Sequence, residues 1–432
     1  MRTSFSPEQL AQPHLRAAEK ELRSCVHCGI CTATCPTYRI LGNELDSPRG
    51  RIQIIQQMLE RDAMPDVEVV QHLDRCLSCN ACVSACPSGV NYPRLIDAAR
   101  YHVERRFSRS MGDRMVRLML GTVLPRRWLM ARMLRLARLA SFMRSLMPAR
   151  MKALVAGAGA LPRPMDPGSP SPSASPRERV ALHVGCVQEV IAPQVTGATE
   201  RVLRSLDLEP VRVEGEGCCG ALNHHLGQES AASRRASALC RDVASAGMNG
   251  PLAGLVTTAT GCGAAIRDFG HHLATGEART ASGMTIDVMQ FVSARVPSSA
   301  RTISLPVKVA YHFPCSLQHG MRGVEHGPAL LRRLGFDVVE LRDRACCGSA
   351  GTYSVLQPEI AGTLERAKVD EISSISPDVV VSGNIGCMSQ MSKSARVAVL
   401  HPIELVDWAL RGASPEEIRN RLRVEPANAH ST

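Results

Sequence analysis

Aromatic side chains are scarce in this chain of 432 residues: two Trp, five Tyr and seven Phe make up 3% of it. Stacking platforms for single-stranded nucleic acid are therefore few. No uninterrupted apolar run reaches roughly 18 residues, which excludes a conventional transmembrane helix. The opening MRTSFSPEQLAQPH has no apolar stretch of the secretory kind, so export is not expected. GEGCCG at 215–220 holds glycines without dinucleotide-fold spacing, and no Walker loop occurs. With no flavin or nicotinamide site in the pattern, the chain is expected to pass electrons for a partner rather than to handle hydride itself.

Acidic residues are lacking only in one place. The net charge is +11, but Met111 to Lys152 holds nine Arg, one Lys and the single acid Asp113. The remainder of the chain is close to neutral. The basicity belongs to one segment and not to a spread nucleic-acid surface, so no nucleic-acid partner is expected.

Cysteine, by contrast, is abundant. Seventeen cysteines without an export signal point to metal ligation in a reducing compartment rather than to disulfides. Cys25, Cys28, Cys31 and Cys35 stand in C-x2-C-x2-C-x3-C followed by Pro36, and Cys76, Cys79, Cys82 and Cys86 repeat it before Pro87. In two-cluster proteins the first three cysteines of such a run hold one iron–sulfur cluster and the fourth reaches the other. On that rule Cys25, Cys28, Cys31 and Cys86 hold one [4Fe–4S] cluster, and Cys76, Cys79, Cys82 and Cys35 hold a second. A pair of zinc sites is the competing reading, although zinc sites pair C-x2-C units at larger separations.

The spacer between the motifs predicts its own helix from about 48 to 61, with Ser47 as N-cap, Pro48 at the first position and Ile52, Ile55 and Leu59 on one face. A second helix is expected over Tyr92–Arg106. Residues 1–108 thus read as a helical, ferredoxin-type two-cluster domain. Arg49 and Arg51 read equally well as counter-charges to a cluster and as solvated charges at a helix start.

Residues 109–160 form a basic segment in which apolar residues alternate with arginines, expected to be helical and to meet a membrane surface, a partner subunit or the neighbouring domains. Residues 161–178 are a Pro/Ser-rich linker, with six prolines and four serines in 162–178. Residues 413–432 are a polar tail.

The stretch between linker and tail is duplicated. His183, Cys186, Cys218, Cys219, Gly220 and Cys262 recur as His312, Cys315, Cys346, Cys347, Gly348 and Cys387, offset by 125 to 129 residues. The first and last cysteines of each set follow β-like runs, with helical stretches between. This predicts two α/β domains, 179–300 and 301–412, with parallel strands and ligands on loops at the strand carboxyl ends. Cys186, Cys218, Cys219 and Cys262 are a candidate metal site, and Cys315, Cys346, Cys347 and Cys387 a second; buried packing is the bland alternative. Cys240 is left over and reads as a core residue. His183 and His312 are candidates for supporting the ligands or for structural strand ends. His224, His225 and His319 lie near cysteines in sequence alone.

The stretches LHVGCVQ, EGCCGALNHHLG, TATGCG, YHFPCSLQHG, CCGSAGTYSVLQPEIA and SGNIGC, with the paired cluster motifs, resemble the iron–sulfur subunits of glycolate oxidase (glycolate dehydrogenase), a CCG-domain family. Related are the iron–sulfur subunits of anaerobic glycerol-3-phosphate dehydrogenase and of lactate utilisation, and the CCG-bearing component of heterodisulfide reductase. The resemblance covers about 20–107 and 179–408. It implies that a flavin subunit makes glyoxylate while this subunit, inactive on substrate by itself, relays electrons to a quinone-type membrane acceptor. It also implies a cytoplasmic protein, with peripheral contact at the inner face of the membrane as a further expectation. In the heterodisulfide reductase relatives five cysteines per motif hold a noncubane cluster. Here Ala265 and Gln390 replace the last of them, so a cubane cluster, a noncubane cluster, zinc or nothing stay open for the two CCG sites. The alternatives are the same relay for lactate or glycerol 3-phosphate, and a thiol–disulfide reductase.

Overall fold

The computed structural model describes residues 1–139, 177–300 apart from 214 and 216, 307–412, 415 and 418. Residues 161–176 of the linker, the end of the basic segment and nearly all of the polar tail lie outside the described residues, and Glu178, expected in the linker, begins the first strand of the next domain.

The first domain is a helical cage around its cysteines. Ser47 caps the Pro48–Glu60 helix by accepting from the Gly50 amide at 3.0 Å, and Pro48 supplies a φ suited to its first turn. Gly50 has to be glycine: a Cβ there would lie 2.1 Å from the Glu44 carbonyl oxygen. Asp66 caps Val67–Asp74 in the same way. These helices and Tyr92–Arg106 bury Leu22, Ile55, Leu59, Leu95 and Ile96 in one core.

The basic segment forms two helices, Met111–Val123 and Arg127–Leu139. Part of its charge is spent inside the molecule. Arg109 and Arg117 both pair with Asp74 and Asp113, and Arg127 donates to the Val184 carbonyl at 2.7 Å. Leu120 and Met130 are buried, whereas Met115, Leu118, Trp128 and Leu136 face outward. The apolar residues therefore split between two faces of the helix pair.

The duplicated region folds as two four-stranded parallel sheets. Strands β1 (Glu178–His183), β2 (Leu208–Arg212), β3 (Leu252–Thr257) and β4 (Thr285–Asp287) lie in the order β2-β1-β3-β4. Strands β5 (Lys308–His312), β6 (Asp337–Glu340), β7 (Val379–Ser382) and β8 (Ala398–Leu400) repeat it as β6-β5-β7-β8. Ala181 faces Leu255 across one central pair and Tyr311 faces Val381 across the other. The two halves share one hydrophobic core, in which the Pro193–Ser205 and Pro402–Arg411 helices pack together around the buried Arg201–Asp407 ion pair at 2.7 Å.

Candidate metal centres

Both cysteine motifs of the first domain turn by the same backbone device. His27 and Gly29 flank Cys28 with φ of 55° and 79°; Ser78 and Asn80 flank Cys79 with 49° and 61°. Left-handed residues on either side of the middle cysteine wrap the loop, so that the first two thiols converge with the third, Cys31 or Cys82, in the single helical turn that follows. The fourth cysteines cross over. Cys86 joins Cys25, Cys28 and Cys31 around a small cavity of about 30 Å³, which Cys82 also borders. Cys35 joins Cys76, Cys79 and Cys82 around a second of about 20 Å³.

Polar groups surround the second set. Arg51 is 1% exposed and its Nη1 lies 3.9 Å from the Cys35 Sγ. The Tyr92 hydroxyl lies 3.9 Å from the Cys76 Sγ, and Thr37 Oγ1 lies 3.2 Å from the Cys35 Sγ. The reading of Arg51 as a solvated charge is thereby corrected: Asp46 pairs with it inside the domain. Arg49, half-exposed, pairs with Glu44 at 2.8 Å. Asp46, Thr37 and Tyr92 carried no signal in the sequence, because nothing in their spacing relates them to the cysteines.

In each later half, Cys186 or Cys315 follows the first strand and the cysteine pair follows the second. Cys262 and Cys387 sit in the first turns of the Thr260–Arg267 and Ile385–Met391 helices rather than on loops, where the helix dipole favours a thiolate. The CCG glycines have φ of 78° and 86°. Their amides lie 3.4 Å from the Sγ atoms of Cys218 and Cys346, and a Cβ would strike the carbonyl oxygens of Ala232 and Ala361. Contact with the Cys218 sulfur and burial hold the Cys186 thiol protonated, and Cys219 and burial do so for Cys262. Cys315, 4.0 Å from Cys346, is pushed up likewise by that sulfur and by burial. Buried sulfurs that oppose one another's ionisation fit a cation, which would reverse that cost.

His183 and His312 are buried beside these sets. His183 Nε2 meets the Gly217 carbonyl at 3.0 Å, and His312 Nδ1 meets Ser382 Oγ at 3.0 Å. The other ring nitrogen of each has no hydrogen-bond partner among the described residues. A nitrogen of His312 lies within 4.8 Å of both the Cys347 and Cys387 sulfurs. Burial pushes His183 down to about 4 and His312 down to about 3, so both rings are neutral near pH 7. Ala265 and Gln390 stand near these sets, and the Gln390 amide is committed to Glu365 at 3.2 Å and Lys393 at 2.8 Å. Cys240 packs in the core of the Glu229–Met248 helix.

The second cysteine set of the first domain abuts the second half. Leu77 packs with Cys346 and Tyr353, and Cys79 and Cys315 border the same cluster. Burial and then the Cys315 sulfur push the Cys79 thiol up. His319 reaches Ser84 Oγ at 2.7 Å. All eight candidate ligand cysteines of the two halves line one cavity of about 780 Å³ beneath the first domain and the basic helices.

A 4Fe-4S dicluster domain matches residues 21–90, and a cysteine-rich domain matches 180–267 and again 309–392. The glycolate oxidase iron-sulfur subunit of Escherichia coli (strain K12) is 35% identical over 417 residues, covering 95% of this chain and 99% of the relative. The chain belongs to the family of glycolate oxidase iron–sulfur subunits. A probable member from Bacillus subtilis (strain 168) is 27% identical over 90% of this chain and 94% of its own length. A component of the CoM/CoB fumarate reductase from Methanothermobacter marburgensis is 24% identical over 90% of this chain and 73% of the relative. Membership makes this chain a component of an oxidoreductase complex that binds iron–sulfur clusters and has partner subunits. Among the described residues no helix is long and apolar enough to cross a membrane.

Proposed function

We propose that this chain is the electron-relay subunit of a flavin-dependent glycolate dehydrogenase, taking electrons from a flavin subunit that makes glyoxylate and handing them to a membrane quinone. Cys25, Cys28, Cys31 and Cys86 would hold one [4Fe–4S] cluster, and Cys76, Cys79, Cys82 and Cys35 a second. Cys186, Cys218, Cys219 and Cys262, and Cys315, Cys346, Cys347 and Cys387, would hold a further metal or cluster in each half. Bound clusters supply one-electron storage and transfer.

The observation that carries the reading is the order of these sets. The first contains Cys28, exposed, with Val26 and Ile30 exposed around it, a surface suited to a docked flavin subunit. The second lies inward, against Cys315 and Cys346, and those two border the large cavity. An entry at the surface and an end at a separate cavity is the arrangement a relay needs. Around the second set, Arg51, Thr37 and Tyr92 offer donors that stabilise negative sulfur.

Glycolate is favoured over lactate because the relatives named for lactate utilisation match only about half of this chain. Disulfide reduction is disfavoured by Ala265 and by the committed amide of Gln390. Contact with the membrane is assigned to the outer face of the basic helices, where Trp128 lies under Arg132 at 5.1 Å and Leu136 is exposed. Anionic headgroups attract such residues by about 1 kcal/mol per basic side chain. The test is glycolate-dependent dye reduction by the chain co-expressed with a flavin partner, against the same preparation given lactate or glycerol 3-phosphate. Flavin bound to this chain alone, with turnover in the partner's absence, refutes the relay.

A further inference from the structure

The cavity of about 780 Å³ has an ionisable end that none of the cysteine sets uses. There the first domain meets the first CCG half. Asp97, on the Tyr92–Arg106 helix, lies 2.9 Å through Oδ2 from His224 Nε2. Asp268 lies 2.8 Å from His272 Nε2 and is also held by Arg94. The two imidazoles meet edge to face with centroids 4.7 Å apart. Neither domain has this group alone: Arg94 and Asp97 come from one, His224, Asp268 and His272 from the other. His225 adjoins it, with Nδ1 buried and without a hydrogen-bond partner among the described residues.

A divalent cation is a poor occupant. Arg94 Nη1 stands 3.3 Å from His272 Nε2, Asp268 is already paired with Arg94, and Asp97 is already engaged by His224. Part of the lining is apolar, formed by Leu120, Leu124, Met130 and Leu134 of the basic helices. The volume is within the range of small-molecule pockets, about 300–1,000 Å³. An apolar stretch of lining, cysteine sets that would hold the electron-carrying groups, and a proton-bearing end together suit an apolar molecule whose carbonyl oxygens must be protonated on reduction. The same helices carry Trp128 and Leu136 on their outer face, which puts the cavity beside the surface assigned to the bilayer.

We propose that this cavity binds a quinone and that His224, oriented by Asp97, protonates a quinone oxygen as the ring is reduced. The inference rests on the relay reading and adds to it the place and the proton donor of the last step. Reduction consumes two electrons, delivered by the relay, and two protons. Asp97 engages Nε2 of His224, so the first proton leaves Nδ1. The second comes from solvent, as does the proton that restores His224; His272, with 31% of its side chain exposed, connects the cluster to water. Both C=O groups become C–OH and the product is the quinol. The charged and titratable groups facing His224 are Asp97 and Arg100 on the Tyr92–Arg106 helix, Asp268 and His272 across the interface, and its neighbour His225. The Asp97 carboxylate, against the opposing effect of burial, keeps His224 above the usual histidine range, as a donor at neutral pH requires.

The test uses the full iron-loaded chain without a flavin partner and a soluble short-chain ubiquinone. Equilibrium dialysis should find quinone bound, and Leu134→Trp, which narrows the apolar wall, should weaken binding by about tenfold. The chemically reduced chain, mixed with quinone, should be reoxidised at a rate that falls as pH rises through the His224 titration. His224→Gln should slow that step at least about tenfold and flatten its pH profile. Asp97→Asn, a milder change, should move the profile to lower pH. Absence of quinone binding, or reoxidation of both variants at the wild-type rate and pH profile, overturns the proposal. Because neither flavin partner nor glycolate is present, failure here is distinct from failure of the relay assay.

Discussion

Replacing Asp46 by Asn tests whether the first domain is held by one buried charge. Asp46 is fully buried and takes three cationic or hydrogen-bonding partners: His72 Nδ1 at 2.9 Å, Arg75 Nη1 at 3.1 Å and Arg51 Nη2 at 3.3 Å. Its backbone carbonyl accepts from Thr37, which itself contacts Cys35. Asparagine keeps the shape and removes the charge. Arg51 then remains 1% exposed with no carboxylate, left with the His72 carbonyl, the Thr37 hydroxyl and the Cys35 sulfur. Breaking a buried pair from one side costs about 3–5 kcal/mol. Arg75 is 23% exposed on its side chain, so Arg75→Ala should cost about 1 kcal/mol or less. The double change Asp46→Leu/Arg51→Met removes both charges and should recover most of the loss. The assay is urea denaturation of the iron-loaded protein, followed by the visible iron–sulfur absorbance, in a background in which Cys218, Cys219, Cys346 and Cys347 are Ser so that the signal comes from the first domain. With a slope of about 1–3 kcal/mol per molar urea, Asp46→Asn should lower the midpoint by about 1–5 M. A midpoint within about 0.3 M of wild type would refute the reasoning.

Cys28→Ser should remove the iron of one cluster and leave the other, because its set and that of Cys76 converge on separate points; iron counting and electron paramagnetic resonance after reduction check this. Gly348→Ala should destabilise by more than about 2 kcal/mol, since a Cβ at φ 86° meets the Ala361 carbonyl at 2.6 Å, whereas Gly42→Ala, with open space around it, should cost only about 1 kcal/mol; thermal melts compare the two. His401 is buried with Nε2 on the Thr258 carbonyl at 2.8 Å, and burial depresses it to about 4. Its contribution is complete above the unfolded value near 6.5 and is lost as pH falls from there toward 4, about 2 kcal/mol by pH 5. His401→Gln should flatten that part of the stability profile, measured by chemical denaturation at several pH values.

The two cysteine motifs, the spacer helix and the duplication were legible because each is local or periodic. Ser47 and Pro48 announce a helix start wherever they stand, and Pro48–Glu60 forms as that pattern requires. Parallel strands ending just before Cys186 and Cys315 follow from apolar runs alternating with helical stretches, and the two sheets share one strand order. Contacts between distant segments were decided by tertiary packing alone. Arg51 looked like a surface charge because the residues that bury it, Asp46, Thr37 and His72, are brought to it only when three helices close on one another. The basic segment showed apolar residues and arginines, but which face turned inward depended on Asp74 and the Val184 carbonyl, neither of them in the segment. Asp97 and His224 are 127 positions apart and meet across a domain interface. Local spacing carries the chemistry of a motif; a cavity between domains has no period, so only the folded chain could reveal it.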